Sequence, residues 1–412
     1  MAAAASDGAV MMTELEFVDP SALLPPDGVS AHPRLRDDIK TKARVAIRDA
    51  AAVGKSEVSG PPCLERGDAE FLPRALGPRV ALALQKLCGE AIVHGDLDCE
   101  PIFDKKTGIQ PRVRDATAPA DEHGMDAVAR NLAHVASNDA ATINALASAL
   151  SLRLLRVQGG WLLILHCVRV GIIRRAVYPR NGHPPGSGGG AGVHADQDID
   201  GDPLAGKPWV LRWLLRGRWL RVLNVWMPVG DMAARPLCVM DTRSLDMLDQ
   251  VRHRWLDHDG WFYRHNPNQR WWWHSGLGTH VGDAVLFDTL RAPHAAFPLP
   301  EEESCHELRE RLRACLAAVD VSSARAALEH VIPQAASWSP PVRRALAAAG
   351  AELQGAAAGD VGALYRALAR LQRQSMEARV VAVGPVKGRQ LLVVALGAAV
   401  LRMAVRKWLM RT

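Results

Sequence analysis

The residues best suited to chemistry lie where an imidazole and a carboxylate stand two positions apart, in Val193-His194-Ala195-Asp196, just after a glycine-rich stretch. On a strand, residues two apart project from one face, so His194 and Asp196 would enter the same interior. A second imidazole joining them completes the two-histidine, one-carboxylate set that grips non-haem Fe(II) and leaves coordination positions open. His294 is the candidate. It lies in Pro293-His294-Ala295-Ala296-Phe297, directly after the strand-like Val285-Leu286-Phe287. Taken alone, His294 reads equally well as a turn histidine beside a proline. The H-x-D pattern is also weak by itself, because with 15 histidines in the chain about one such tripeptide arises by chance. His94-Gly95-Asp96 is a second copy, but no strand-like run surrounds it.

An oxygenase that consumes 2-oxoglutarate needs a fixed cation for the carboxylate that does not touch the metal, and arginine serves through bidentate pairing. Arg309, in Ser304-Cys305-His306-Glu307-Leu308-Arg309, stands where such a cation is wanted. An arginine at a helix start, solvated or paired with Glu302 or Glu303, fits that position as well.

The elements that must hold these groups fall into three parts. Residues 1–30, with their poly-Ala start and Pro20, Pro25 and Pro26, read as a mobile leader. Residues 31–154 read as mainly helical, from the charged, Ala-rich 37–53, the apolar 76–87 and the Ala/Leu/Asn mixture of 125–152. Near residue 155 the character changes. Short apolar runs at 161–170, 172–178, 208–215, 219–226, 237–240, 261–264, 270–273 and 284–288 are separated by Gly, Pro, Asn and Asp. That density predicts a β-barrel or sandwich over 155–320. Beyond it, 306–319, 324–331 and 361–374 return to helical spacing, and 321–412 reads as a helical C-terminal extension. The apolar run 391–401 is too short to span a bilayer, which takes about 20 residues. It reads as a packed helix, with peripheral membrane contact as the alternative.

Composition narrows the class. Of 412 residues, 48% are hydrophobic and 23% charged, which excludes a wholly disordered chain. A net charge of +6 is too small to specify a nucleic-acid partner. Seven cysteines with no CxxC pair fit neither a disulfide framework nor a Cys-rich zinc module, and the N-terminus lacks the pattern of a signal peptide. A reducing, cytoplasmic setting is the expectation. The glycines of 186–190 lack the strand–GxGxxG–helix context of a nucleotide cradle.

Six ordered elements across residues 190–312 resemble the asaB-like hydroxylase/desaturase family, which includes CmcJ-type cephem methoxylation proteins and fungal natural-product oxygenases. They are V-H-x-D at 193–196, N-V-W-x-P at 224–228, P-L-x-x-x-D-x-x-S at 236–244, R-W-W-W at 270–273, P-H-x-A-F at 293–297 and E-x-R at 307–309. The resemblance implies an α+β protein with a double-stranded β-helix (jelly-roll) core and helical extensions at both ends. It also implies Fe(II) and 2-oxoglutarate as cofactor and cosubstrate, O2 as oxidant, and hydroxylation or desaturation of a small, largely apolar metabolite. By residue, it makes His194, Asp196 and His294 the metal ligands and catalytic centre, Arg309 the cosubstrate anchor, and Asn224 and Trp226 cosubstrate-binding positions. Where the family carries an arginine in N-V-W-R-P this chain has Met227, which bears on substrate identity.

Two other functions remain open at this level: a nucleic-acid-acting oxygenase of the same fold, and a non-catalytic cupin-like binding protein. The aromatic-rich 261–274 reads as ordinary barrel packing or as a pocket wall. Asp241 and Ser244 read as a turn in which short polar side chains cap backbone N–H groups.

Overall fold

The computed structural model describes residues 10–19, 40–53, 69–72, 99–104, 108–113, 153–156, 162–175, 192–195, 220–228, 230–255, 258–288, 291–371 and 373–386. Before the predicted β region lie strands β1 (Val10–Val18), β2 (Lys40–Asp49), β3 (Ala69–Leu72), β4 (Cys99–Asp104), β5 (Gly108–Val113) and β6 (Arg153–Arg156), with one helical turn, α1 (Ala50–Val53). The core continues with β7 (Leu162–Arg175), β8 (His194–Ala195), β9 (Leu220–Pro228), β10 (Leu237–Met240), β11 (Gln250–Trp255), β12 (His258–Tyr263), β13 (Trp271–Trp273), β14 (Ala284–Asp288) and β15 (His294–Ala296). Helices α2 (Glu302–Ala318), α3 (Val321–Gln334), α4 (Pro340–Leu353) and α5 (Val361–Arg370) follow, and β16 (Arg373–Val386) is the last described element.

The strands form two sheets. Sheet A runs β1-β2-β13-β10-β15-β8-β12-β11, and sheet B runs β3-β14-β9-β16-β7-β4-β5, with β6 beside β7. Glu16 and Val18 of β1 also bridge to Gly192 and Arg264 at the far side of sheet A, so that sheet curls nearly closed. From β7 onward the chain alternates between the sheets: β7, β9, β14 and β16 lie in B, and β8, β10, β13 and β15 in A. The alternation breaks at β10 and β13, which pair with each other in sheet A on either side of the β11–β12 hairpin, and the helices precede β16.

Strand alternation sorts the side chains into layers. Leu237, Val239 and Trp272 of sheet A meet Trp226, Val285 and Phe287 of sheet B in one apolar cluster between the sheets. The intervening Cys238, Met240, Trp271, Trp273, Ala295 and Phe297 face the other way, into a cluster that takes in all four helices. Sheet A is therefore the middle layer of helices, sheet A and sheet B.

The helices have local causes. In α2, Cys305, Leu308, Arg309 and Leu312 are buried at the spacing of one helical face, and Glu302 and Glu303 occupy the first turn, where carboxylates favour the dipole. Asp320 caps α3 by accepting the Ser323 N–H at 3.0 Å, and Asp360 caps α5 through the Ala363 N–H at 2.9 Å. The Glu301 carboxylate accepts the Ser339 backbone N–H and the Ser339 hydroxyl, tying the start of α4 to the start of α2.

Three expectations are corrected. The predicted leader contains β1, whose Thr13, Leu15 and Phe17 are buried while Glu14 is exposed. Its period-2 pattern outweighs the poly-Ala and proline composition. The Ala-rich, charged segment predicted as helix is β2, paired residue for residue with β1 from Val10↔Arg48 to Val18↔Lys40. Its Lys40, Lys42, Arg44 and Arg48 fall on one set of alternate positions, and Ala43, Val45 and Ile47 fall on the other. The C-terminal part is not helical throughout. The predicted helix 361–374 stops at Arg370, and Arg373–Val386 re-enters sheet B between β9 and β7. The Val-rich 380–386 favours a strand. The predicted helices 76–87 and 125–152, the run 208–215, the glycine loop and the tail run 391–401 lie outside the described residues. Among the described residues, no helix is long and apolar enough to cross a membrane.

Candidate metal centre

His194 and His294 are brought together by strand pairing. β8 and β15 are antiparallel neighbours in which His294 stands opposite His194, and their ring centroids are 4.6 Å apart. Ala195 and Ala295 face the helices, so alternation turns both histidines toward sheet B. The Phe287 ring of sheet B lies 4.7 Å from His294, and Phe262, opposite His194 on β12, lies 6.3 Å from that ring. His294 is only 6% exposed.

Each imidazole is oriented by its own backbone. His194 Nδ1 is 2.7 Å from the Gly192 carbonyl, and His294 Nδ1 is 3.0 Å from the Ala292 carbonyl. A carbonyl oxygen only accepts, so each Nδ1 carries the hydrogen, and in the neutral ring Nε2 bears the lone pair. That tautomer is the one in which histidine ligates a metal with its other nitrogen held by an outer partner. The donor set thus fits a metal. Two imidazoles of one tautomer, on adjacent strands, meet in an interior walled by aromatic and aliphatic side chains. Asp196 lies outside the described residues. Among the described residues no group of three His, Cys, Asp or Glu comes together.

Asn224 and Trp226 are on β9, 1% and 2% exposed. Trp226 belongs to the cluster between the sheets, and Asn224, two residues away, shares its face. Asn224 also stands opposite Phe287, and Trp226 opposite Val285. Both therefore face the layer that holds the histidines. Met227 alternates to the opposite face, so the position where the family has arginine does not look into this interior.

Arg309, the expected cosubstrate anchor, comes from the helical layer. Fully buried in α2, it donates through Nη2 to Glu302 Oε1 at 3.2 Å and through Nη1 to the Leu371 carbonyl at 3.3 Å. These contacts tie α2 to Leu371, the residue that follows α5. The expected pairing with Glu302 near the helix start is present.

Sequence reasoning missed Phe287 as a neighbour of His294. The apolar run 284–288 predicted its strand, but which side chains met the histidine depended on how the sheets face each other. The DTRS element is a turn. Asp241 accepts the Arg243 N–H at 3.1 Å and both Nε and Nη2 of Arg243 at 2.7 Å, and the Ser244 hydroxyl donates to the Asp241 carbonyl at 2.6 Å. Burial pushes the Asp241 carboxyl up, but the Arg243 bonds and the charges of Arg243 and Arg270 outweigh it and hold it below its ordinary value. A lowered folded pKa contributes stability above the unfolded value, about 3.9, that is lost as pH falls through the folded one. Asp241→Asn is therefore expected to flatten the acid limb of a stability–pH curve below about pH 4. An acid limb identical to wild type would show that Asp241 plays no part in it.

Residues 175–314 match the family model described as "Oxidoreductase/YMDC permease-like domain". The resemblance is to an oxidoreductase family. The matched segment contains both histidines, Asn224, Trp226 and Arg309, and oxidoreductase is the activity class it supports. No curated protein matches the sequence. Among solved structures, the iron and alpha-ketoglutarate-dependent endoperoxidase NvfI aligns over 92% of this chain and 100% of its own, at 13% identity and a TM-score of 0.43. The same enzyme in a different conformation aligns over 92% and 99%, at 12% identity and a TM-score of 0.42.

Proposed function

We propose that the protein is an Fe(II)- and 2-oxoglutarate-dependent oxidoreductase that hydroxylates or desaturates a small, largely apolar molecule. The observation that carries this reading is the His194–His294 pair, with rings 4.6 Å apart on neighbouring strands and each Nδ1 held by a backbone carbonyl. The eight strands β7–β10 and β13–β16, four in each of two sheets, support a double-stranded β-helix. His194 and His294 would hold the iron together with Asp196, which follows His194 by two residues in the sequence.

Bound iron and 2-oxoglutarate would supply O2 activation, with the cosubstrate oxidised and decarboxylated to succinate. The chain's own residues prepare the place for it. The Gly192 and Ala292 carbonyls hold the two rings through Nδ1, which lowers the reorganisation needed when a metal enters. Phe287, Trp226, Val239 and Trp272 make the interior apolar, which excludes water and favours an apolar substrate. Asn224 offers the same face an amide able to donate and accept.

The test is O2 uptake and succinate formation by purified protein given Fe(II) and 2-oxoglutarate. The expected result is slow consumption of 2-oxoglutarate even without substrate, abolished by a chelator. Absence of both iron binding and 2-oxoglutarate consumption would overturn the proposal in favour of a non-catalytic binding protein.

A further inference from the structure

A row of directly opposed residues crosses sheet A. Phe262 of β12 stands opposite His194 of β8, His194 opposite His294 of β15, and His294 opposite Val239 of β10. Val239 stands opposite Trp272 of β13, Trp272 opposite Arg48 of β2, and Arg48 opposite Val10 of β1. Directly opposed residues share a sheet face, and Val239 and Trp272 belong to the apolar cluster between the sheets. Arg48 and Val10 therefore continue the face that carries both histidines.

Burial changes along this row. His294, Val239 and Trp272 are at most 8% exposed, whereas Arg48 is exposed and Val10 is 43% exposed. Ala50 follows Arg48 by two residues and is buried in the same apolar cluster, so Arg48 marks the rim where the interior opens to solvent. Its guanidinium carbon lies 5.7 Å from the centre of the Trp272 ring. Stacking of that kind holds the planar group by its face and leaves its N–H donors at the edge. Met12, 49% exposed, shares the face of Val10 two residues along. By register, Glu14 stands opposite Arg44 and Glu16 opposite Lys42, so the far part of this strand pair carries charge of both signs. The part beside Trp272 instead combines an oriented cation with two exposed apolar side chains. That combination suits a ligand with an apolar body and an anionic group.

We propose that Arg48, Trp272, Val10 and Met12 form an outer substrate subsite, and that the substrate is an amphipathic anion whose charged group Arg48 holds while its apolar part reaches the histidines. This rests on the oxidoreductase reading and names the substrate class for it. Three strand spacings separate Arg48 from His294, about 14 Å along the sheet, so the carbon presented to the histidines is remote from the anionic group. The competing role for Arg48 is a cover for Trp272 that takes no ligand.

The experiment is calorimetric titration of the Mn(II)-loaded protein with dodecanoate and with 1-dodecanol, which has the same chain length without the charge. Wild type is expected to bind dodecanoate about 5- to 10-fold more tightly than dodecanol, the worth of a charge-assisted contact at an exposed site. Arg48→Gln is expected to abolish that preference and leave dodecanol and Mn(II) affinities unchanged, and Arg48→Lys to keep most of it. In NMR spectra of bound dodecanoate, Mn(II) is expected to broaden the methyl end more than the protons beside the carboxylate. Equal preference in wild type and Arg48→Gln overturns the inference. So does a lowered Tm in that variant with its preference intact, which leaves Arg48 as a cover for Trp272. Broadening strongest beside the carboxylate overturns it too, because the chain then lies the other way round. Binding to phosphatidylglycerol vesicles but not to dodecanoate overturns it and assigns the face to a membrane surface. An Arg48-dependent preference in a protein that binds no Mn(II) overturns the functional reading instead, and leaves an anion-binding face without the chemistry.

Discussion

His294→Ala protein is expected to retain iron or manganese more weakly than wild type by over about 100-fold, beyond the 10- to 100-fold typical of losing a mere outer partner, and to lose its turnover. The ring sits 4.6 Å from that of His194, and its orientation is set by the Ala292 carbonyl. Truncation removes one of the two imidazoles that strand pairing brings together. It also opens space against Phe287, whose ring is 4.7 Å away, so the alanine variant loses some packing as well. His294→Gln keeps most of the volume and separates the two effects. It should restore Tm without restoring metal affinity. Metal content after dialysis, read beside thermal unfolding, decides the matter. Wild-type metal content and turnover in both variants would remove His294 from the centre.

Trp271→Ala carries the largest expected effect on stability. Trp271 is fully buried on the helix-facing side of sheet A and meets Phe17 of β1 edge-on, with centroids 6.2 Å apart and planes at 73°. It stands between Met240 of β10 and Ile47 of β2, so the N-terminal strand pair joins the core through this indole and its two neighbours on β13. Large-to-small changes at buried tryptophans cost about 3–5 kcal/mol. The indole N–H has no acceptor among the described residues, and removing an unmade buried hydrogen bond returns about 1–3 kcal/mol. The expected net loss is thus about 2 kcal/mol, measured as a shift in urea midpoint. A loss under about 1 kcal/mol would mean that β1 and β2 are held by other contacts.

Much of the candidate site was legible in residue types and local spacing. V-H-x-D after a glycine stretch, P-H beyond a strand, and short apolar runs between turn residues are local patterns, and a strand's period-2 alternation is set by its own residues. The same holds for α3 and α5, whose buried faces and capping aspartates can be read within a single turn or two. Charged, alanine-rich stretches are less secure, because such composition suits a helix while two-residue charge spacing suits a strand, as in β2.

What the chain alone determined is which residues could ligate and most of the strand runs between 161 and 288, because burial of one face leaves its mark at fixed local intervals. Partnership was decided only by the folded molecule. Sheet pairing joined position 194 to position 294, the helical layer drew Arg309 toward Glu302, and the strand after the helices entered sheet B between β9 and β7. Pairing between distant strands follows from how whole sheets close and pack, and no short stretch of sequence contains that information.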